Sequence, residues 1–148
     1  MGKDVVEVPV VSDLIRKVGV PLSPVVRANG FVFVSGLPGI DIATGKVVDG
    51  GIEEQTEASL AALKHALEAA GSSMEKVVKT TVYVSNAAHF AKVNRVYARH
   101  FPDKPPARTF VAVGSWPLEF DIEIECVALA RSGGAIAGGW NRGGLFHR

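Results

Sequence analysis

Val25-Val26-Arg27-Ala28-Asn29-Gly30-Phe31-Val32-Phe33-Val34-Ser35 is the stretch that decides the fold class. Asn-Gly between β-branched and aromatic runs is the strongest short-range hairpin signal, because both residues tolerate the positive φ of a tight turn. The stretch predicts two antiparallel strands, 25–27 and 31–35. Beyond them, Ile40 to Val48 reads as a loop, a turn at Thr44-Gly45 and a short third strand. The period then changes. Leu60, Leu63, Leu67 and Ala70 share a stripe at helical spacing, with Glu54, Lys64 and Glu68 off it, so a helix is predicted over 52–70. Glu53, Glu54 and Glu57 suit its N-terminal dipole, and Gly71 suits a left-handed cap.

From 76 to 85 Val78, Thr80, Val82 and Val84 alternate with Lys79, Thr81 and Tyr83, which is strand periodicity. Asn86 or Ser85 can cap a second helix over 87–100, with Phe90, Val93, Tyr97 and Phe101 inward and Pro102, Pro105 and Pro106 closing it. Strands follow over 108–113 and 119–130. In the last, Phe120, Ile122, Ile124, Cys126 and Ala128 share one face, and Asp121, Glu123, Glu125, Val127 and Leu129 share the other. The order is β-β-β-α-β-α-β-β. This is an α+β class: a six-stranded mixed sheet with two helices on one face. The other face stays open, and Tyr83, Val127 and Leu129 on it suggest association through the sheet. One domain spans residues 1–131. Residues 132–148, with three Gly-Gly pairs, read as a tail.

Composition narrows function by exclusion. Among 148 residues, 16 Lys and Arg face 15 Asp and Glu, so a net charge of +1 offers no field to recruit nucleic acid or an anionic membrane. The lone Cys126 cannot by itself form a disulfide or zinc site. No apolar run suits a membrane span, and Met1 to Val11 does not read as a secretory signal, so a cytoplasmic protein is expected. Phosphate-loop, dinucleotide, zinc-protease and nucleophile-elbow motifs do not occur. His65, His89, His100 and His147 are scattered without ligand spacing, so no metal is expected.

Arg108 and Glu123 remain. A guanidinium fork matches a carboxylate, and a strand glutamate can hold and activate a water. Equally, the two could pair with each other or cap a sheet edge. Cys126 is expected to be a small buried hydrophobe, and Asn94 to be structural.

Several segments, in order, resemble the Rid family of imine deaminases, also called YjgF or UK114. They include Pro21-Leu22-Ser23-Pro24, Asn29-Gly30-Phe31-Val32-Phe33-Val34-Ser35-Gly36, Glu54-Gln55-Thr56, Leu67-Glu68-Ala69-Ala70-Gly71, Phe90-Ala91-Lys92-Val93-Asn94, Pro106-Ala107-Arg108 and Ile122-Glu123-Ile124-Glu125. The resemblance spans about residues 20–131. It implies a two-layer sandwich like bacterial chorismate mutase, and a homotrimer with sheets facing a central barrel and a site in each intersubunit cleft. It implies that Arg108 binds the substrate carboxylate, that Glu123 positions a water, and that Ser35, Gly36 and Phe110 line the pocket. The implied reaction hydrolyses a 2-imino acid, or its enamine tautomer, to a 2-oxo acid and ammonia, without a cofactor. Leu22 stands where the family often has tyrosine, and Phe110 where it often has cysteine or a small residue. With Trp116-Pro117 nearby, these changes predict a more apolar cleft, narrowed by Phe110 and favouring unbranched or flat side chains. Two alternatives stay open: a specialised deaminase of aminomuconate or aminoacrylate type, and a non-catalytic, acid-binding or chaperone-like trimer. RNA cleavage, also linked to the family, fits poorly with the charge balance.

Overall fold

The computed structural model describes residues 2–130; the predicted tail, 132–148, lies outside them. The hairpin forms as read: β2 (Val25–Ala28) pairs antiparallel with β3 (Phe31–Pro38) around Asn29 and Gly30, both at positive φ. A strand too short to show periodicity, β1 (Asp4–Val6), adds to β2. With β6 (Val77–Val84), β7 (Ala107–Ala112) and β8 (Ile122–Leu129) the sheet has the order β1-β2-β3-β8-β6-β7. Only β6 and β7 run parallel, so the sheet is mixed.

Two expectations need correction. The strand expected after Thr44-Gly45 is not in this sheet: β5 (Lys46–Val47) pairs only with β4 (Ile40–Asp41) in a separate two-stranded hairpin. There are also three α-helices among the described residues, not two. The unforeseen one is α1 (Val11–Val18), ended by Gly19 at φ 77°. Its apolar residues Val11, Leu14, Ile15 and Val18 do have helical spacing. A flanking proline and a run of valines mask it.

The main helices form where expected. In α2 (Ile52–Ala69), Leu60, Leu63 and Leu67 are fully buried against the sheet, and Gly71 follows at φ 75°. Asn86 accepts a bond from the Ala88 N–H, capping a short 3₁₀ turn that leads into α3 (Phe90–His100). Val93 and Tyr97 of α3 are buried as predicted, whereas Phe90 is 49% exposed. Thr80 of β6 hydrogen-bonds Tyr97 at 2.7 Å, tying α3 to the sheet face that Ile122, Ile124 and Cys126 also line. The Cys126 thiol is pushed up to about 12 by burial, then by the Glu125 charge, and it behaves as a small hydrophobe.

The opposite sheet face carries Phe31 and Phe33, both exposed, beside Val127 and Leu129. It also carries Tyr83, whose hydroxyl donates to Glu125. The alternation read from the sequence along β8 is therefore the alternation observed.

Candidate functional site

A β-bulge builds the first half of the site. Val34 pairs with Cys126 and Leu37 with Ile124, so Ser35 and Gly36 together oppose Glu125 alone. The bulge brings the Gly36 backbone against the carboxylate of Glu123. A β-carbon on Gly36 would lie 2.7 Å from Glu123 Oε1 and 2.9 Å from its carboxyl carbon, so any larger residue would displace the carboxylate. Helix α2 secures the geometry. Ser59 Oγ donates to the Leu37 carbonyl at 2.7 Å, and Gln55 holds the start of β8 by donating to Asp121 Oδ2 and accepting from the Asp121 N–H. Ser35 Oγ donates to the Ser23 carbonyl at 2.7 Å. Its proton is therefore engaged in joining the Leu22 loop to β3, and only the oxygen lone pairs remain for a ligand.

Glu123 is half-buried. Burial chiefly, and then the neighbouring charge of Glu125, raise its pKa above the ordinary carboxylate value. It borders an apolar cavity of about 250 Å³ that Gly36, Leu22, Trp116 and Pro117 also line. Trp116 and Phe120 pack with their rings tilted by 39° and centroids 4.7 Å apart. Phe120 therefore packs in the loop before β8 and does not extend that strand's core face.

The second half lies elsewhere. Arg108 on β7 pairs in register with Thr80, so it points to the helix side of the sheet. Its Cζ sits 4.9 Å from the Tyr97 ring centre, 5.7 Å from Phe90 and 5.8 Å from Phe110. Phe90 meets Phe110 edge-on at 5.0 Å. Three rings thus hold the guanidinium stem and face, a cation–π arrangement that leaves its N–H edges outward. Among the described residues Arg108 enters no ion pair. On the α3 stripe between Phe90 and Tyr97 lies Asn94, whose buried Oδ1 has no partner among the described residues.

Glu123, by contrast, pairs with Tyr83 on the open face. Arg108 and Glu123 therefore lie on opposite faces of one sheet, and the reading that they pair with each other fails within a chain. The structure brings Leu22, Gly36 and Glu123 together, and separately Arg108 and Phe110. Sequence reasoning missed α1, the ring cradle around Arg108 and the buried oxygen of Asn94. The Phe90, Asn94, Tyr97 spacing was its only visible trace.

Among the described residues no group of three or more His, Cys, Asp or Glu is placed to hold a metal ion. His65 bonds the Pro9 carbonyl, and His100 bonds Glu57. A larger cavity of about 740 Å³, between Lys64, Glu68 and the Pro102–Pro106 turn, lies apart from both halves. No helix of the described residues is long and apolar enough to cross a membrane.

Residues 16–130 match the family model described as Endoribonuclease L-PSP. The chain is similar to Reactive Intermediate Deaminase A, chloroplastic, of Arabidopsis thaliana, at 43% identity over 73% of this chain. It spans 58% of that relative's length. Among solved structures it is similar to YyfA of the Rid protein family from Yersinia pestis, with 33% identity, a TM-score of 0.78, and coverage of 87% of this chain and 100% of that one. It is also similar to TdcF of Escherichia coli with bound serine, with 30% identity, a TM-score of 0.70, and coverage of 76% and 90%.

Proposed function

Because this chain belongs to the Rid family, whose model is described as Endoribonuclease L-PSP, we propose that it is a deaminase of reactive 2-imino acids or their enamine tautomers. One observation carries the reading: an unpaired guanidinium and a half-buried carboxylate sit on opposite faces of one sheet. Each is half of a site that two copies complete. The exposed Phe31, Phe33 and Leu129 of the open face favour burial between copies, in a trimer with chorismate mutase-like packing of sheets around a central barrel.

In this arrangement the Arg108 fork takes the substrate carboxylate by two parallel N–H···O bonds. The ring cradle keeps it from swinging. Glu123 of the adjoining copy holds a water beside the imine carbon. The water adds to the C=N carbon, and its proton passes to Glu123. Glu123 returns the proton to nitrogen, giving a carbinolamine; it then takes the hydroxyl proton and passes it to nitrogen as the C–N bond breaks and C=O forms, so that a 2-oxo acid and ammonia leave. A carboxylate with a raised pKa suits both directions of this transfer. The barrier is modest, so positioning and one acid-base group suffice. Gly36 and the Ser35 oxygen flank the water; Leu22 and Phe110 supply apolar walls. The serine bound by TdcF, a small molecule with a carboxylate, fits the anchor. The test is ammonia release from imines generated by an amino-acid oxidase. The full chain should accelerate it, and Arg108→Ala should not.

A further inference from the structure

The cavity beside Glu123 is mostly walled by residues of α1 and of the loop before β8: Leu14, Ile15, Val18, Trp116 and Phe120, with Leu22 between them. Leu14 and Ile15 precede residue 16, where the match to the family model begins. The helix is firmly placed. His65 holds the Pro9 carbonyl at 2.8 Å, and Ser12 Oγ accepts the Val8 N–H at 2.8 Å. Arg16 bridges Glu7 and Asp13 on the outer surface. Val10 enters the helix at φ 71°, a strained conformation for a β-branched residue, which the surrounding contacts must enforce.

The geometry points to this cavity as the side-chain subsite of the enzyme, selecting 2-imino acids with an aromatic, benzyl-sized side chain. The inference rests on Glu123 marking the reacting carbon. A cavity of about 250 Å³ has room for a group of several carbon atoms. A benzyl group can enter it, and a methyl group leaves it almost empty. The mutually tilted rings of Trp116 and Phe120 offer faces and edges to an aromatic guest. Glu123 and Gly36 lie at the polar end, continuous with the bulge. Phe110, in the Arg108 half, does not wall this space.

The test is calorimetric titration of the full chain with phenylpyruvate and with pyruvate, two product-type 2-oxo acids. Phenylpyruvate should bind at least about tenfold more tightly. Leu14→Trp and Val18→Trp, which fill the cavity from α1, should each remove most of that preference; Val18 is half-exposed and tolerates enlargement. Equal affinities in the unmodified chain, or a preference that survives both substitutions, overturn the inference. Preferential binding without faster imine hydrolysis sinks the deaminase reading and leaves the subsite standing. Hydrolysis of alanine-derived imine without preferential binding does the reverse.

Discussion

Gly36 and Glu123 occupy one another's space: a β-carbon on the first would stand 2.7 Å from Oε1 of the second. Gly36 is not at positive φ, so its role is close approach and not backbone freedom. Gly36→Ala should swing the carboxylate away from the reaction axis. Imine hydrolysis should fall by more than about tenfold, as expected when a catalytic group is misplaced. The circular dichroism spectrum should stay the same. Undiminished activity in Gly36→Ala would remove Glu123 in this rotamer from the mechanism.

Opposite-face placement of Arg108 and Glu123 makes complementation a sharp test. Arg108→Ala and Glu123→Gln chains should each be inactive. Refolded together at equal amounts they should regain about a quarter of full activity, because each two-copy site then has a one-in-four chance of both intact halves. Light scattering should give about three chain masses. A site held within one chain would show no recovery.

Arg108 should not tolerate its nearest charge equivalent. Lysine lacks the planar fork and stacks less well on Tyr97, Phe90 and Phe110. Arg108→Lys should lose most of kcat/KM and Arg108→Ala nearly all. Lost cation–π contact should cost stability only about 0.5–1 kcal/mol in urea unfolding.

Glu123 should set the acid side of the pH profile. Burial and the Glu125 charge raise its pKa in the folded chain. The acid limb of kcat/KM should therefore lie above the ordinary carboxylate range. Between the ordinary and the raised value the folded chain binds more protons than the unfolded one. This group's contribution to stability thus falls as pH rises through that window, and Glu123→Gln should flatten the fall. Thermal melts across this range check the sign.

Ser59 is the hydroxyl beneath the bulge. Ser59→Ala leaves the buried Leu37 carbonyl without its donor, at a cost of about 1–3 kcal/mol. Tm should drop by several degrees, roughly 2–4 °C per kcal/mol at this chain length. A Tm unchanged within a degree would mean another donor has replaced it.

Much of this protein was legible in its residues. Asn29-Gly30 dictates a hairpin because few residues accept its φ. Alternation along 122–129 assigns Glu123 to one face because strand side chains alternate strictly. Leu60, Leu63 and Leu67 mark the helix that covers the other. The family resemblance, carried by local segments, picked out Arg108, Gly36 and Glu123. Tertiary structure alone decided the rest, since those features depend on which segments meet. Register between β6 and β7 put Arg108 on the helix side, away from Glu123. Pairing of β3 with β8 created the bulge that sets Gly36 against the Glu123 carboxylate. Val10 turned α1 onto the Glu123 cavity through a backbone conformation its own side chain disfavours. Periodicity is a property of neighbours along the chain; which face a residue takes against another strand, and what a bulge brings together, is a property of neighbours in space.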